Sequence, residues 1–131
     1  MKTLPSKFVP KGWGYERWIA NNDLYCGKEL FIAKSKKFSV HWHEKKDETF
    51  YVAKGIAVVR FKQLPEKEEP WSDMDYHRWW MDSQVQTLEP GDVFHVPVKM
   101  IHQVEAMSDF TMFEFSTHHD DDDSYRIIRG D

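Results

Sequence analysis

Residues 41–55 read HWHEKKDETFYVAKG, and this stretch decides the fold. Successive side chains of a β-strand point to opposite faces, so His41 and His43 are predicted to project from one face of one strand. Glu48 follows five residues later at the start of a second strand, and Gly55 marks the turn that ends it. Two imidazoles in this spacing, with a carboxylate able to reach back across a turn, predict a metal site held by strands.

A second stretch supplies a further ligand. Residues 91–102 read GDVFHVPVKMIH and end on His102. A lone His-x-His pair is commonly two surface histidines or two histidines satisfied by hydrogen bonds. Here the His-x-His pair, the later glutamate, the glycine and the downstream Gly-x5-Pro-x4-His pattern occur together. We therefore predict that His41, His43, Glu48 and His102 bind one ion.

The rest of the chain has the pattern of an all-β fold. Short segments rich in β-branched and aromatic residues alternate with turn signals, and no amphipathic helix of three turns is visible. Many short strands whose edges need cover predict a closed double-sheet jelly-roll barrel with little helix. The predicted strands span residues 15–20, 30–33, 37–43, 49–53, 56–61, 85–88, 93–96, 102–106 and 111–116.

Composition narrows the class of protein. The 131 residues predict a single domain over 1–131, and the net charge of −4 argues against a nucleic-acid or anionic-membrane partner. Cys26 is the one cysteine, which excludes an internal disulfide and favours a reducing compartment, so we expect a cytoplasmic protein. We expect Cys26 itself to be an inert packing residue. No apolar run is long enough for a signal peptide or a membrane span.

Two segments interrupt the strand pattern. Residues 62–83 form an aromatic insert, interpreted as a loop packed on the barrel or a dimer contact, or alternatively as a lid over the ligand pocket. Residues 118–131 are predicted to be an acidic C-terminal tail. The run at 120–123 resembles a second metal site, but consecutive carboxylates near a terminus usually form a solvated or disordered segment.

The two patterned stretches resemble the sequence motifs of the cupin superfamily, which implies a double-stranded β-helix barrel with a His, His, Glu and His metal site. A narrower resemblance is to type II mannose-6-phosphate isomerases. It is carried by KGWGYE at 11–16, FEF at 113–115 and DDDSYR at 121–126. This resemblance implies a metal-dependent isomerase that interconverts an aldose and a ketose, acting on a sugar or sugar phosphate.

Three imidazoles and one carboxylate suit Zn, Mn, Fe, Co or Ni. Aldose–ketose isomerisation also needs a base that carries a proton between C1 and C2. Glu114 is the first candidate, and the simpler interpretation is a structural glutamate. His95 is predicted either to contact a metal ligand without binding the ion itself or to lie on the surface. Lys99 is predicted either to line the barrel mouth or to be a solvated turn residue.

A sugar phosphate needs a cationic clamp, and the guanidinium fork of arginine matches phosphate oxygens best. Arg126 is the first candidate, with an ordinary surface ion pair as the alternative; Lys46 and Tyr125 are further predicted substrate contacts.

Two other functions remain open: an Fe(II)-dependent dioxygenase, and a non-catalytic sugar-binding or structural cupin. We also expect a homodimer paired through N-terminal strands, because the pattern predicts exposed tryptophans at 13, 18, 71, 79 and 80, which need cover.

Overall fold

The alternating segments form antiparallel strands in a computed structural model, which describes residues 3–64 and 75–131. One α-helix and one short 3-10 helix accompany the strands. In chain order the elements are β1 (Lys7–Lys11), β2 (Gly14–Asn21), β3 (Cys26–Ile32), β4 (Val40–His43), β5 (Glu48–Lys54), β6 (Ala57–Gln63), α1 (Tyr76–Asp82), β7 (Gln84–Leu88), β8 (Val93–Val96), β9 (Met100–Ala106), β10 (Phe110–Ser116), the 3-10 helix (Asp121–Asp123) and β11 (Ser124–Ile128).

The strands build two sheets. One sheet has the order β1-β2-β3-β10-β5-β8 and the other the order β11-β4-β9-β6-β7. Strands distant in sequence are therefore neighbours, as where β10 lies between β3 and β5. Two antiparallel sheets with this order are a jelly roll, which confirms the predicted all-β class.

The nine predicted strands correspond to β2 through β10, with shifted ends. The structure adds two strands that the pattern did not predict, β1 and β11. Both are edge strands with largely exposed side chains, so they lack the apolar alternation of a half-buried strand.

The core lies between the sheets because each inner strand turns its apolar positions inward. Its fully buried members include Ile32, Phe50, Val52, Val59, Val104 and Met112. Gly55 closes the turn after β5 with a φ of 84°, and a Cβ there would lie 2.1 Å from the carbonyl oxygen of Asp109. Only glycine fits this turn without strain.

Part of the insert at 62–83 packs on the outer face of the five-stranded sheet. Asp75 caps α1 by accepting a hydrogen bond from the backbone N–H of Arg78 at 2.7 Å. Trp79 is fully buried in a cluster with Val40, Leu64 and Ile101. The described part of the insert is thus packed against the barrel, whereas Trp71 lies outside the described residues.

The acidic segment is a correction to the sequence prediction. Residues 118–131 are not a solvated tail, because β11 pairs with β4 and the 3-10 helix precedes it. Asp123 is buried, and its carboxylate accepts hydrogen bonds from the backbone N–H groups of Glu44, Lys45 and Lys46. A carboxylate with three such donors is a structural anchor.

The expectation that the tryptophans are exposed was also wrong in part. Trp13 and Trp79 are buried within the chain, and Trp18 is half-buried, whereas Trp80 is 48% exposed. No helix in residues 3–64 or 75–131 has the length and hydropathy that a bilayer span requires.

Candidate metal centre

Three imidazoles meet on the inner face of the five-stranded sheet. His41 and His43 lie on β4, and His102 lies directly across from His41 on β9. One ring nitrogen from each histidine lies within 4.8 Å of the others. The alternation of β4 and the register of β4 with β9 thus bring together the histidines that the sequence predicted.

Hydrogen bonds to main-chain carbonyls orient all three rings. Nδ1 of His41 lies 2.9 Å from the carbonyl oxygen of Ser39, and Nδ1 of His102 lies 3.0 Å from that of Met100. Nδ1 of His43 lies 3.1 Å from the carbonyl oxygen of Asp123. A carbonyl only accepts, so each Nδ1 carries the proton and each Nε2 presents a lone pair. This is how metal-binding histidines are commonly oriented.

Glu48 reaches the same point from the opposite sheet. It is the first residue of β5, in the six-stranded sheet, and is 2% exposed. Its Oε2 lies 3.2 Å from Nε2 of His43, and its Oε1 lies 4.0 Å from Nε2 of His102. Within the described residues, Oε2 of Glu48 and Nε2 of His43 and His102 are buried without a hydrogen-bond partner. Such orphaned atoms are costly unless another ligand satisfies them, and a divalent ion would do so.

The protonation states also suit a metal ion. Burial lowers the pKa of His41 well below its ordinary value, reinforced by His102 and His43. Burial likewise lowers the pKa of His102 to about 4. Burial would raise the pKa of Glu48, but the ammonium of Lys46 and the neighbouring imidazoles hold it below the usual value. Neutral imidazoles and an ionised carboxylate are the forms that bind metals, and an N₃O donor set suits Zn, Mn, Fe, Co or Ni.

A cavity of about 760 Å³ opens above these four residues. Indole rings of Trp13 and Trp18 line it, as do the cationic side chains of Arg126 and Arg129. Arg126 lies opposite His41 in the pairing of β11 with β4, so both side chains project from the same face of the sheet. The cavity is large enough for a small polar ligand, and both cationic and acidic side chains line it.

A buried charged network forms one wall of the cavity. Nζ of Lys46 donates to Oε2 of Glu114 at 2.9 Å and to Nδ1 of His119 at 3.0 Å. Nε2 of His119 in turn donates to Oδ1 of Asp121 at 2.8 Å. Glu114 and Lys46 both line the cavity and are hydrogen-bonded to each other.

Three further predicted site residues do not join the site. His95 is exposed, and its Nε2 lies 2.8 Å from Oδ1 of Asp47 on the surface. Lys99 lies in the turn before β9 with a φ of 65° and does not line the cavity. Tyr125 stacks on Trp42 on the outer face, with ring centroids 4.3 Å apart. Tyr125 faces outward because adjacent residues of a strand point to opposite faces, and its neighbour Arg126 is the one that lines the cavity.

Sequence reasoning missed His119, Asp123 and Arg129 as residues that build the site or its supports. All three belong to the segment interpreted as a tail. The signal available was the apolar pair at the end of DDDSYRII, since Ile127 and Ile128 pack against the cluster under α1.

Comparisons with known proteins agree with this architecture. The chain is a barrel of two antiparallel sheets with three histidines and a glutamate at its centre, a set of residues that could hold a metal ion. The model of the cupin family matches residues 30–127, and the chain belongs to this family. No curated protein matches the sequence.

Several solved structures share the fold. CapF of Staphylococcus aureus, a capsular polysaccharide assembling protein, has a TM-score of 0.72 and 18% identity, over 96% of this chain and 35% of CapF. KdgF of Halomonas sp. has a TM-score of 0.61 and 20% identity, over 82% of this chain and 81% of KdgF. An RmlC-like cupin of Shewanella frigidimarina has a TM-score of 0.67 and 17% identity, over 89% of this chain and 87% of that protein. The chain thus spans about a third of the CapF chain, and these likenesses concern the fold.

Proposed function

We propose that this cupin is a metal-dependent isomerase that interconverts an aldose and a ketose and acts on a sugar or sugar phosphate. The observation that carries the proposal is the row of Arg126, His41 and His102 across three neighbouring strands. Arg126, which we propose binds an anion, lines one open cavity together with the candidate metal ligands. The similarity to CapF, a capsular polysaccharide assembling protein, also favours a sugar-related ligand.

His41, His43, Glu48 and His102 would hold the ion. When bound, a divalent ion would act as a Lewis acid toward the carbonyl and hydroxyl oxygens of the substrate. Arg126 would bind the phosphate through two parallel N–H···O hydrogen bonds. The indole of Trp13, which lines the cavity, would offer an apolar face to the sugar ring.

Glu114 is the proposed proton carrier, because it is the one predicted base inside the cavity. The hydrogen bonds that it accepts from Lys46 and Ser116 both fall on Oε2, which leaves Oε1 for the substrate. The proton would leave C2 and return to C1, while the hydroxyl proton on O2 moves to O1. The reaction is therefore redox-neutral and needs no co-reactant.

The test uses protein loaded separately with Zn, Mn, Fe, Co or Ni and a panel of hexose and pentose phosphates in D₂O. We expect conversion of one of them, with deuterium incorporated at carbon from solvent. Glu114→Gln, loaded with the same metal, should lose the exchange. If the metal-loaded protein leaves every substrate unchanged and exchanges no carbon-bound proton, the isomerase proposal is wrong.

A second candidate is an Fe(II)-dependent dioxygenase, and one observation favours it. The ammonium of Lys46 lies 2.9 Å from Oε2 of Glu114 and donates a hydrogen bond to it, so this oxygen is already occupied. A reaction in which Glu114 carries no proton tolerates this pairing. Oxygen consumption that requires Fe(II) would identify this function, whereas an isomerase works anaerobically with Zn. Saccharide binding without turnover or oxygen uptake would identify a non-catalytic sugar-binding cupin.

We further propose a homodimer. Apolar side chains stand exposed on the six-stranded sheet, among them Phe8, Ile19, Val93 and Phe115, each more than half exposed. Covering them would remove apolar surface from water. Light scattering at micromolar protein concentration should give twice the monomer mass, and a monomer mass contradicts the proposal.

A further inference from the structure

The ammonium of Lys46 lies close to a candidate metal ligand without binding it. The Lys46 side chain is 3% exposed, in the loop between β4 and β5. Its Nζ lies 3.7 Å from Oε2 of Glu48, which is within ion-pair range but beyond a hydrogen bond. Glu114 and His119 take the two short contacts instead, at 2.9 and 3.0 Å. The hydrogen bonds of the Lys46 ammonium thus go to Glu114 and His119, and none goes to Glu48.

The consequence is an unsatisfied carboxylate oxygen at the metal centre. Oε2 of Glu48 is buried and has no hydrogen-bond partner in the described part of the chain. A free ammonium this close would ordinarily close the remaining distance, because a charge-assisted hydrogen bond to a buried carboxylate is strongly favourable. Something must therefore hold Lys46 in place.

Both partners of Lys46 are themselves fixed. The ring of His119 donates from Nε2 to Asp121, so its Nδ1 is left as an acceptor for Lys46. Its backbone N–H donates to Oδ1 of Asn21 at 3.0 Å. Glu114 lies in the middle of β10 and also accepts from the hydroxyl of Ser116. Neither acceptor can follow Lys46 toward Glu48 without losing its own contacts.

We infer that Glu114 and His119 restrain Lys46 and so reserve the Glu48 carboxylate for the metal ion. Without the restraint, the ammonium would donate a hydrogen bond to Glu48 and compete with the ion for the same oxygen. Glu114 is then a positioning residue for metal binding, whether or not it also carries a proton. The inference rests on the metal centre of the proposed function and does not depend on the substrate.

The test measures Zn²⁺ and Co²⁺ affinity by competition with a chromophoric chelator at one fixed pH. Glu114→Gln should weaken the affinity by about 10-fold to 100-fold, the range found for residues that support metal ligands. Adding Lys46→Met removes the competitor, so the double variant should recover to within about threefold of the wild-type affinity. Recovery on removing a second side chain distinguishes restraint from general loss of structure.

Glu16→Gln is the matched control. Glu16 lines the same cavity and pairs with Lys28 at 3.4 Å, so the variant removes the same charge from the same wall. Within the described residues the hydrogen bonds and ion pairs of Glu16 go to Trp18, Lys28 and Lys11 and not to a candidate ligand, so the metal affinity should stay within about twofold of the wild-type value.

His119→Leu, with and without Lys46→Met, provides a second pair of variants should Glu114→Gln fail to fold. Circular dichroism establishes folding for each variant. Equal affinity in folded single variants and wild type overturns the inference, as does a double variant as weak as the single one. Wild-type protein that binds neither ion overturns the metal centre itself, whereas inactive protein that shows the expected affinities overturns only the isomerase proposal.

Discussion

Arg126 and His41 are direct partners across the antiparallel pair of β11 and β4, so the guanidinium and the imidazole belong to the same cavity. Arg126→Gln should raise the dissociation constant for a phosphorylated ligand by about 10-fold to 100-fold, because it removes a charge-assisted contact worth about 1.5–3 kcal/mol. Affinity for the unphosphorylated sugar should change little. Titration calorimetry with both ligands provides the comparison.

Two other variants make the Arg126 experiment specific. Arg126→Lys keeps the positive charge but loses the planar guanidinium that makes two parallel hydrogen bonds, so it should give an intermediate affinity for the phosphorylated ligand. Arg60→Gln removes a guanidinium that stacks on Trp80 and does not line the cavity. Equal losses in the Arg60 and Arg126 variants would contradict the assignment.

His41→Ala and His102→Ala test the metal centre directly. Each removes one of four donors and also leaves a gap beside the others. The metal content after purification should fall to less than about a tenth of the wild-type value, because bound metal depends on the complete donor set. Elemental analysis measures it. His95→Ala is the control, since His95 is an exposed histidine bound to Asp47; unchanged metal content in the His41 and His102 variants would rule out the site.

Asp123 is expected to stabilise the loop between β4 and β5. Its carboxylate accepts three backbone N–H groups, and its carbonyl accepts the Nδ1 proton of His43. Asp123→Ala should lower the free energy of unfolding by about 2–3 kcal/mol, because buried donors lose a charged acceptor. Urea denaturation measures the change. Asp122→Ala changes an exposed neighbour, so its free energy of unfolding should stay within about 0.5 kcal/mol of the wild-type value. Similar losses of stability in both variants would contradict the structural role of Asp123.

His119 should make the stability of the metal-free protein depend on pH. Burial, with the ammonium groups of Lys46 and Lys28, lowers its pKa to about 4 from an ordinary value of 6.5. Between these two values the unfolded chain binds the proton more readily, so stability falls as the pH drops from 6.5 to about 4 and levels off below that.

The expected contribution of His119 over that window is about 1–2 kcal/mol, less than the full shift implies because solvent reaches part of its surroundings. His119→Gln should reduce the pH dependence by that amount. Urea midpoints measured across the window provide the test, and identical pH profiles for the variant and the wild type would contradict it.

The metal centre was more predictable from the sequence than the cavity around it. His41 and His43 share a face by strand parity alone, and the spacing of the two patterned stretches predicted Glu48 and His102, as the resemblance to cupins also implied. Such positions depend on local geometry and on spacing, which a sequence displays. The pairing of β9 with β4 is a long-range contact, but the second motif offers only two histidines, His95 and His102, and its pattern ends on His102.

The wall of the cavity depends on contacts that no local pattern encodes. Lys46 lies beside Glu114 because β10 pairs with β5, a relationship between residues 68 positions apart. The strand β11 escaped prediction because the acidic run that precedes it resembles a solvated tail. Tyr125 and Arg126 were both expected at the ligand, yet adjacent residues of a strand face opposite ways, so only Arg126 lines the cavity.

The distribution of the four donors over both sheets has a mechanical consequence. The three histidines belong to the five-stranded sheet and Glu48 to the six-stranded sheet, so a bound ion would cross-link the two halves of the barrel. Spreading of the sheets would then require breaking coordination, and amide hydrogens of β5 and β9 should exchange more slowly in the loaded protein. At a free ion concentration of about 100 times the dissociation constant, the cross-link would add about 2.7 kcal/mol to stability, and a chelator would remove it.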